Sequence, residues 1–586
     1  MKNKIYQYRK YAGPTIFIVV LLGFIWLCYS AFQAQYELNM AKLHAAKLRS
    51  HSSGLQAKDV ADAISAVRSD IAAAQQDVSG PAWWVATHIP YLGRTPNAIQ
   101  TTVSNLDGIM QSTILLEDSL RRNSSTDAGK ININVVTASL KSLTSLKSSV
   151  NQGAQQINQL NLSGVPSVIS NPVQQVGTSL RALQPVVAEA DSFSSIAPVL
   201  FGLKQPKKWL LVFHNGAEAR AAGGLPGGWG VLNVHEGKFE LENLQTNSIF
   251  NNRPLLNWQD YVSTDQAQLY GDDLSRFSDL NLSPDYPTNG KLMTAIFEQD
   301  TGEHVDGVLS MDQDALANLV SVTGPIKFGE KTLDAANIAG YINKDVYADY
   351  PNPAEKDSAV FTIIRKTFEY FSNGSVGPVG LVRAFVPSIH SGYMHLWAKD
   401  QNIEKSIVLT DLGGSLENVN KPTSAVVFVN GAGNKIDSYV SADVRYMQSL
   451  CTVDTPYRKA FMRINLENNA PTSGLPKYVT PRSDLTKNAS AKPGSTKMVI
   501  YVHTPLGSVL DTATINGNVV SAVASGVDTG RQVWRFDTEL DPQKSRALLV
   551  NFEEPAIGNE PQPSVWTQSM PNPVKTHVET SQRCVR

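Results

Sequence analysis

Apolar positions crowd the start of the chain and then thin into stripes. Tyr11 to Tyr36 carries no charged residue, and Thr15 to Phe32 is an almost continuous apolar run. A helix needs roughly 20 apolar residues to cross the hydrocarbon layer, so this stretch predicts a single membrane span with Tyr and Trp at its edges. Lys2, Lys4, Arg9 and Lys10 precede it with no acidic residue among them. Such a cluster stays in the cytoplasm, which places the rest of the chain outside the membrane. A cleaved signal peptide is the competing reading, for which the apolar run is long. Cys28 follows Trp26 and Leu27 rather than the small residues of a lipidation site, and reads as a membrane-embedded apolar side chain.

The next stretch is helical in pattern. From Glu37 to about Asp191 the aromatic residues are Trp83, Trp84 and Tyr91 alone, too few for a large mixed core. Val60, Ile64, Val67, Ile71, Ala74 and Val78 alternate spacings of four and three, a heptad seam that Gly80-Pro81 ends. Ile99, Val103, Leu106 and Met110 mark a second helix, and Val136, Leu140, Leu143, Val150, Ala154 and Ile157 a third. Short breaks between them predict antiparallel packing into a stalk or bundle over residues 37–200, after a cytoplasmic basic segment and span over residues 1–36.

The pattern changes again at Pro206. Trp209 to Phe213 is a short apolar run that suits a buried strand. Gly230–Val234 and Phe239–Glu242 alternate around Glu236-Gly237 and predict a hairpin. Helical patterns over Gly290–Gln299 and after Asp312, a plausible cap, flank a second apolar strand at Val305–Ser310. Strands alternating with helices predict an α/β domain over residues 206–415. Ala425–Val429, Lys497–Val502 and Arg531–Phe536 are strand-like, which predicts a β-sandwich over residues 421–557. Residues 558–586, with Pro561, Pro563, Pro571 and Pro573, read as an irregular tail. The fold class expected is therefore α+β and multidomain.

Charge narrows the partners. The 51 basic and 52 acidic residues nearly cancel, so no nucleic acid is expected. Beyond the span only Cys451 and Cys584 remain; in an oxidising compartment they either form a disulfide or stay two separate thiols.

The densest chemical signal runs from Asn215 to Gly230, where Glu218 and Arg220 precede Gly223-Gly224 and Gly227-Gly228. Glycines let backbone N–H groups approach an anion, and Arg offers a permanently charged fork for phosphate or carboxylate. The alternative is a tight loop whose Glu218–Arg220 contacts brace the fold. The spacing is neither that of a P-loop nor that of a dinucleotide fingerprint. Asp272, Asp273, Asp285, Asp306, Asp312 and Asp349 could serve a divalent cation only if two or three converge, and otherwise read as caps and turns. His214 is either a base or a satisfied strand histidine. No Gly-x-Ser-x-Gly, His-Glu-x-x-His or Cys-x-x-Cys pair supports a serine hydrolase, zincin or zinc ribbon.

The residues from Lys208 to Asn215, followed by Glu218, Arg220 and Gly223-Gly224, resemble the opening signature of the bacterial domain-of-unknown-function 4012 family. The resemblance continues at Leu282–Pro287, Val305–Asp312, Gly324–Ile326, Asn434–Tyr439 and the Ile89–Gly93 step. It implies a membrane-anchored envelope protein. More distantly, the α/β region is similar to the LytR-CpsA-Psr proteins, which transfer glycopolymers from a polyprenyl-pyrophosphate lipid. That similarity implies that Arg220, with Gly223 and Gly224, grips the pyrophosphate and takes part in catalysis, that Asp285 or Asp312 places Mg²⁺ or acts as a base, and that Arg365 substitutes as a phosphate contact for the basic stretch those proteins carry. The chain departs from that pattern between Pro353 and Val360, where Lys356 is the sole basic residue before Arg365. Two functions are thus expected side by side. One is a glycopolymer transferase acting on a lipid-linked glycan; the other is a non-enzymatic scaffold or polysaccharide-binding platform.

Overall fold

The computed structural model describes residues 23, 25–44, 57–114, 117–118, 133–250, 253–373, 376, 378–416, 424–449, 456–486, 490–556 and 563–581. Most of the expected membrane span lies outside these residues, as do Cys451 and Cys584 and the side chains of Val60, Val136 and Leu140. Among the described residues no helix is long and apolar enough to cross a membrane. The chain divides after Ser195 into a helical unit and a larger mixed unit.

In the helical unit, residues 25–44 form a helix, followed by α1 (Ala57–Asp77), α2 (Pro81–Thr87), α3 (Arg94–Gln111), α4 (Ile133–Asn158) and α5 (Ser167–Leu200). Gly80 ends α1 with φ 104° and Pro81 opens α2, as a residue without an N–H can do at a first turn. Ala74 and Val78 of the predicted seam pack with Val103, Trp83 and Ala34 in one apolar cluster. Ala154 and Ile157 pack with Ala98, Val173 and Leu180 in a second.

The larger unit is built on a five-stranded sheet of order β3-β2-β1-β4-β7, with β1 (Lys207–Asn215), β2 (Leu225–His235), β3 (Lys238–Thr246), β4 (Gly307–Met311) and β7 (Met394–Ala398). β1 pairs parallel with β4, and the other neighbours pair antiparallel. The hairpin turn falls at Glu236 and Gly237, with φ of 49° and 74°. Both values lie in the left-handed region, as a two-residue turn between twisted strands demands. The sheet is covered on both faces, which explains the unbroken apolar run in β1. Leu210 and Val212 join Leu292, Ile296 and Phe297 of α7 (Tyr286–Thr301), beyond the short α6 (Thr264–Tyr270). Phe213 meets Phe368 edge-on at 6.3 Å, a residue of α9 (Pro353–Asn373). On the same face lie α8 (Gln313–Thr323) and α10 (Pro378–His390), the latter through Phe385. A small hairpin, β5 (Ile326–Phe328) and β6 (Lys331–Leu333), leads toward α9, and α11 (Gln401–Ile407) follows β7.

Two further sheets face one another. One holds β8 (Ser424–Asn430), β11 (Thr496–Pro505), β14 (Ala524–Asp528), β15 (Arg531–Leu540) and β17 (Val565–Thr567), in the order β14-β15-β11-β8-β17. The other holds β9 (Val440–Ser449), β10 (Tyr457–Asn468), β12 (Val509–Ile515), β13 (Asn518–Val519), β16 (Lys544–Pro555) and β18 (Lys575–Ser581), in the order β13-β12-β16-β10-β9-β18. Phe428, Ile500 and Phe536 from the first interdigitate with Tyr446, Met462 and Phe552 from the second. Every residue of β8 is buried. Its alternate side chains, Val427 and Val429, extend the apolar cluster of α7 and β2, so the α/β layer and the sandwich share one continuous core.

The tail corrects the sequence reading. Residues 558–586 are not wholly irregular, because β17 adds parallel to β8 and β18 adds parallel to β9. Pro571 and Pro573 lie between these two strands, where no ladder N–H is needed. Strands that join the edges of distant sheets leave no local signature of pairing.

A candidate ligand cleft

Residues 216–224 connect β1 to β2 and are buried along their whole length. Their amides are engaged inside the fold. The Gly216 N–H donates to Gln313 Oε1 at 3.3 Å, Ala219 N–H to Asp437 Oδ2 at 2.8 Å and Ala221 N–H to the Asn281 carbonyl at 3.1 Å. The glycines serve close packing: Gly223 has φ 107°, and a Cβ on Gly224 would collide with the Asn215 backbone. No open cradle of N–H groups faces outward from this loop, so Gly223 and Gly224 act as packing residues.

Arg220 is part of the same seam. Its Nε and Nη2 donate to Asp279 Oδ1 at 3.1 and 2.9 Å, and its Nη1 donates to the carbonyls of Ala219 and Asn430 at 3.0 and 3.3 Å. The side chain is 8% exposed. Glu218 pairs instead with Lys435 at 2.9 Å and accepts from Asn215. The two residues brace the fold, each through a partner other than the one expected.

The remaining predicted residues do not converge on Arg220. Asp312 caps α8, its Oδ1 accepting from the N–H groups of Asp314 and Ala315 at 3.0 Å each, while Ser569 donates to Oδ2. Burial pushes its carboxyl up to about 8. Asp285 caps α7 through Thr288 and also accepts from the Leu416 N–H at 3.3 Å. Arg365 is exposed on α9. Burial holds His214 down at about 4, so its ring is neutral at neutral pH and a weak base. Among the described residues no group of three or more His, Cys, Asp or Glu side chains could hold a metal ion.

Two hollows remain. The first lies at the carboxyl ends of β1 and β4, between His214, Asp312, Tyr347, Lys356 and Phe361, and encloses about 70 Å³. That volume holds a few waters at most. The second encloses about 890 Å³ between the α/β layer and the β14–β15 turn. It falls within the roughly 300–1,000 Å³ usual for ligand pockets. Asp260, Asp265, Asp285 and Glu404 line it against a single ammonium, Lys291, with Tyr261 and Trp397 as its aromatic surfaces. The capping box of Ser263 and Gln266 fixes one wall. Thr529 and Gly530, at φ 45° and 70°, shape the opposite turn.

Glu404 is strongly perturbed in this cleft. Its Oε2 accepts from the Ala398 N–H at 2.8 Å, while Oε1 is buried without a partner among the described residues. Burial, reinforced by the nearby Asp285 charge, raises its carboxyl from 4.5 to about 7, against the weaker pull of the Ala398 N–H and of Lys291. Between those two values the folded protein holds a proton that the unfolded chain has lost. Stability from this group therefore falls as pH rises from about 4.5 through 7. Glu404→Gln keeps an acceptor for Ala398 and removes the titration. It is expected to reduce the fall of the thermal midpoint across that window, the rest of the slope coming from Asp312 and Asp437, whose carboxyls burial also raises. An unchanged slope would show that Glu404 titrates normally.

Residues 204–347 match the family described as a protein of unknown function, DUF4012. The segment belongs to the DUF4012 family. No curated protein matches the chain. A Legionella pneumophila structure, described as a candidate nutrient binding protein, is 7% identical with a TM-score of 0.15, over 22% of this chain and 43% of that one. This chain thus spans less than half of that structure, and the score is too low to carry a shared fold. The DUF4012 segment contributes Glu218, Arg220, Asp285, Asp312 and Tyr347. Glu404, Lys435, Asp437 and Asp528 lie beyond it, so the cleft is completed by later parts of the chain. Sequence patterning pointed to Asp285 but not to Glu404, because a lone Glu on a short exposed helix has no local mark of burial.

Proposed function

We propose that the protein is a membrane-anchored platform of the bacterial envelope, standing outside the membrane, that binds a glycan in the carboxylate-lined cleft. The observation that carries this reading is the cleft itself: ligand-sized, with four acidic side chains to one basic, beside Tyr261 and Trp397. Carboxylates and amides bind sugar hydroxyls well, and aromatic faces take the apolar face of a sugar ring. The same charge balance repels phosphate. A lipid-linked pyrophosphate therefore has less support here than a neutral or amine-bearing glycan, and with Arg220 sealed in its ion pair the transferase reading has lost its phosphate grip. The apolar run before Phe32 and its basic flank support the anchor.

The test is a titration of the full chain in detergent with neutral, amine-bearing and phosphate-bearing oligosaccharides. Saturable binding of one of the first two is expected, weakened about tenfold by Tyr261→Ala, the equivalent of roughly 1.4 kcal/mol. Binding confined to phosphate-bearing ligands and indifferent to Tyr261 would sink the proposal.

A further inference from the structure

The helical unit displays an apolar surface that its own packing does not use. α2 and the turn after it expose Trp84, Val85, Ile89, Tyr91 and Leu92, at 63%, 54%, 44%, 83% and 75%. No charged residue occurs between Asp77 and Arg94. The turn is firmly built. The Gly93 N–H donates to the Ile89 carbonyl at 2.8 Å, and any Cβ on Gly93 would collide with the Thr87 carbonyl. The Arg94 guanidinium sits 5.6 Å over the Tyr91 ring. A folded turn that holds its large apolar side chains outward is a surface made for contact, since patches of this kind mark partners or lipid.

The neighbour of Trp84 says which. Trp83 is 2% exposed and donates its Nε1–H to Ser30 Oγ at 2.9 Å. That bond pins α2 beside residue 30, two positions before the end of the apolar run Thr15–Phe32. On the helix of residues 25–44, Leu27, Ala31, Ala34 and Leu38 face the bundle. Trp26, Tyr29, Phe32 and Tyr36 stay exposed, at 44%, 60%, 67% and 54%. Tyr and Trp gather where one end of a ring is wet and the other apolar, at the level of lipid headgroups.

We propose that α2 and its turn are a bilayer seat: they lie in the headgroup–acyl boundary of the leaflet from which the anchor emerges, and hold the base of the bundle against the membrane. This rests on the anchor reading, and adds a second, interfacial contact formed by residues far along the chain. The seat binds lipid through apolar and aromatic area, without a demand for a particular headgroup.

The test places the photo-crosslinking residue benzoylphenylalanine, one site at a time, in the full chain reconstituted into phosphatidylcholine–phosphatidylglycerol vesicles. The sites are Tyr91, Phe17 within the apolar run, and Leu183, an exposed position on α5. Lipid adducts at Tyr91 approaching the yield at Phe17, with tenfold fewer at Leu183, are expected. Adducts at Phe17 but only the Leu183 background at Tyr91 would overturn the seat and leave the anchor standing. Background at Phe17, whether or not Tyr91 gives adducts, would remove the anchor and with it the seat proposed beside it.

Discussion

Arg220→Ala is expected to destabilise the larger unit by about 3–5 kcal/mol, the usual cost of removing one partner from a buried ion pair. Arg220 is 8% exposed and Asp279 21%. The truncation leaves Asp279 without its two guanidinium bonds, and the Asn430 carbonyl without the Nη1 donor that ties β8 to the loop. Arg220→Lys keeps the charge but not the fork, and an ammonium cannot reach both sides of the seam with the same geometry. It should fall between wild type and Arg220→Ala. Urea unfolding followed by tryptophan fluorescence measures the order. If both variants unfold like wild type, Arg220 is not the brace described above, and its reservation for a ligand becomes the better account.

Asp528→Ala is expected to have an effect of similar size, about 3–5 kcal/mol, at a second point of the same interface. Asp528 ends β14 and is wholly buried. It accepts from Gln266 Nε2 and Tyr270 OH, each at 2.7 Å, and from Ser283 Oγ at 2.9 Å, with His503 Nε2 at 3.7 Å. Burial alone would raise its pKa, but His503, Tyr270 and Gln266 together outweigh burial and lower it. The sign follows. A carboxyl lowered in the folded state contributes stability that is present above its unfolded value of about 3.8 and is lost as pH falls through the folded value. Asp528→Asn should therefore unfold at a milder denaturant concentration than wild type at pH 7, and the gap should narrow below pH 4. A gap that stays constant down to pH 2 would mean that the charge of Asp528 contributes nothing.

These two residues also show where sequence reading reached its limit. The apolar run of β1, the Glu236-Gly237 turn and the Asp312 cap were legible because each depends on neighbours within a few positions. Arg220 was legible as unusual, yet not as a brace, because its partners Asp279 and Asn430 lie 59 and 210 positions away. The glycines at 223 and 224 looked like an anion loop for the same reason. A glycine needed for close approach of chain to chain and one needed for close approach to phosphate have the same local pattern. Asp528 gave no signal, being an ordinary turn aspartate until Gln266, Tyr270 and Ser283 close on it. The union of the α/β layer and the sandwich in one core was equally hidden. The double-sided burial of Val426 to Val429 reads in sequence as a strand, without naming what covers each side.

The most direct test of the account is hydrogen–deuterium exchange on the full chain in detergent, with and without the oligosaccharide that binds most tightly. Slower exchange over residues 260–266 and 401–409, with no change over 216–224, is the predicted result. Protection over 216–224 with none at the cleft would contradict it, and would return the glycine loop and Arg220 to the centre of ligand binding.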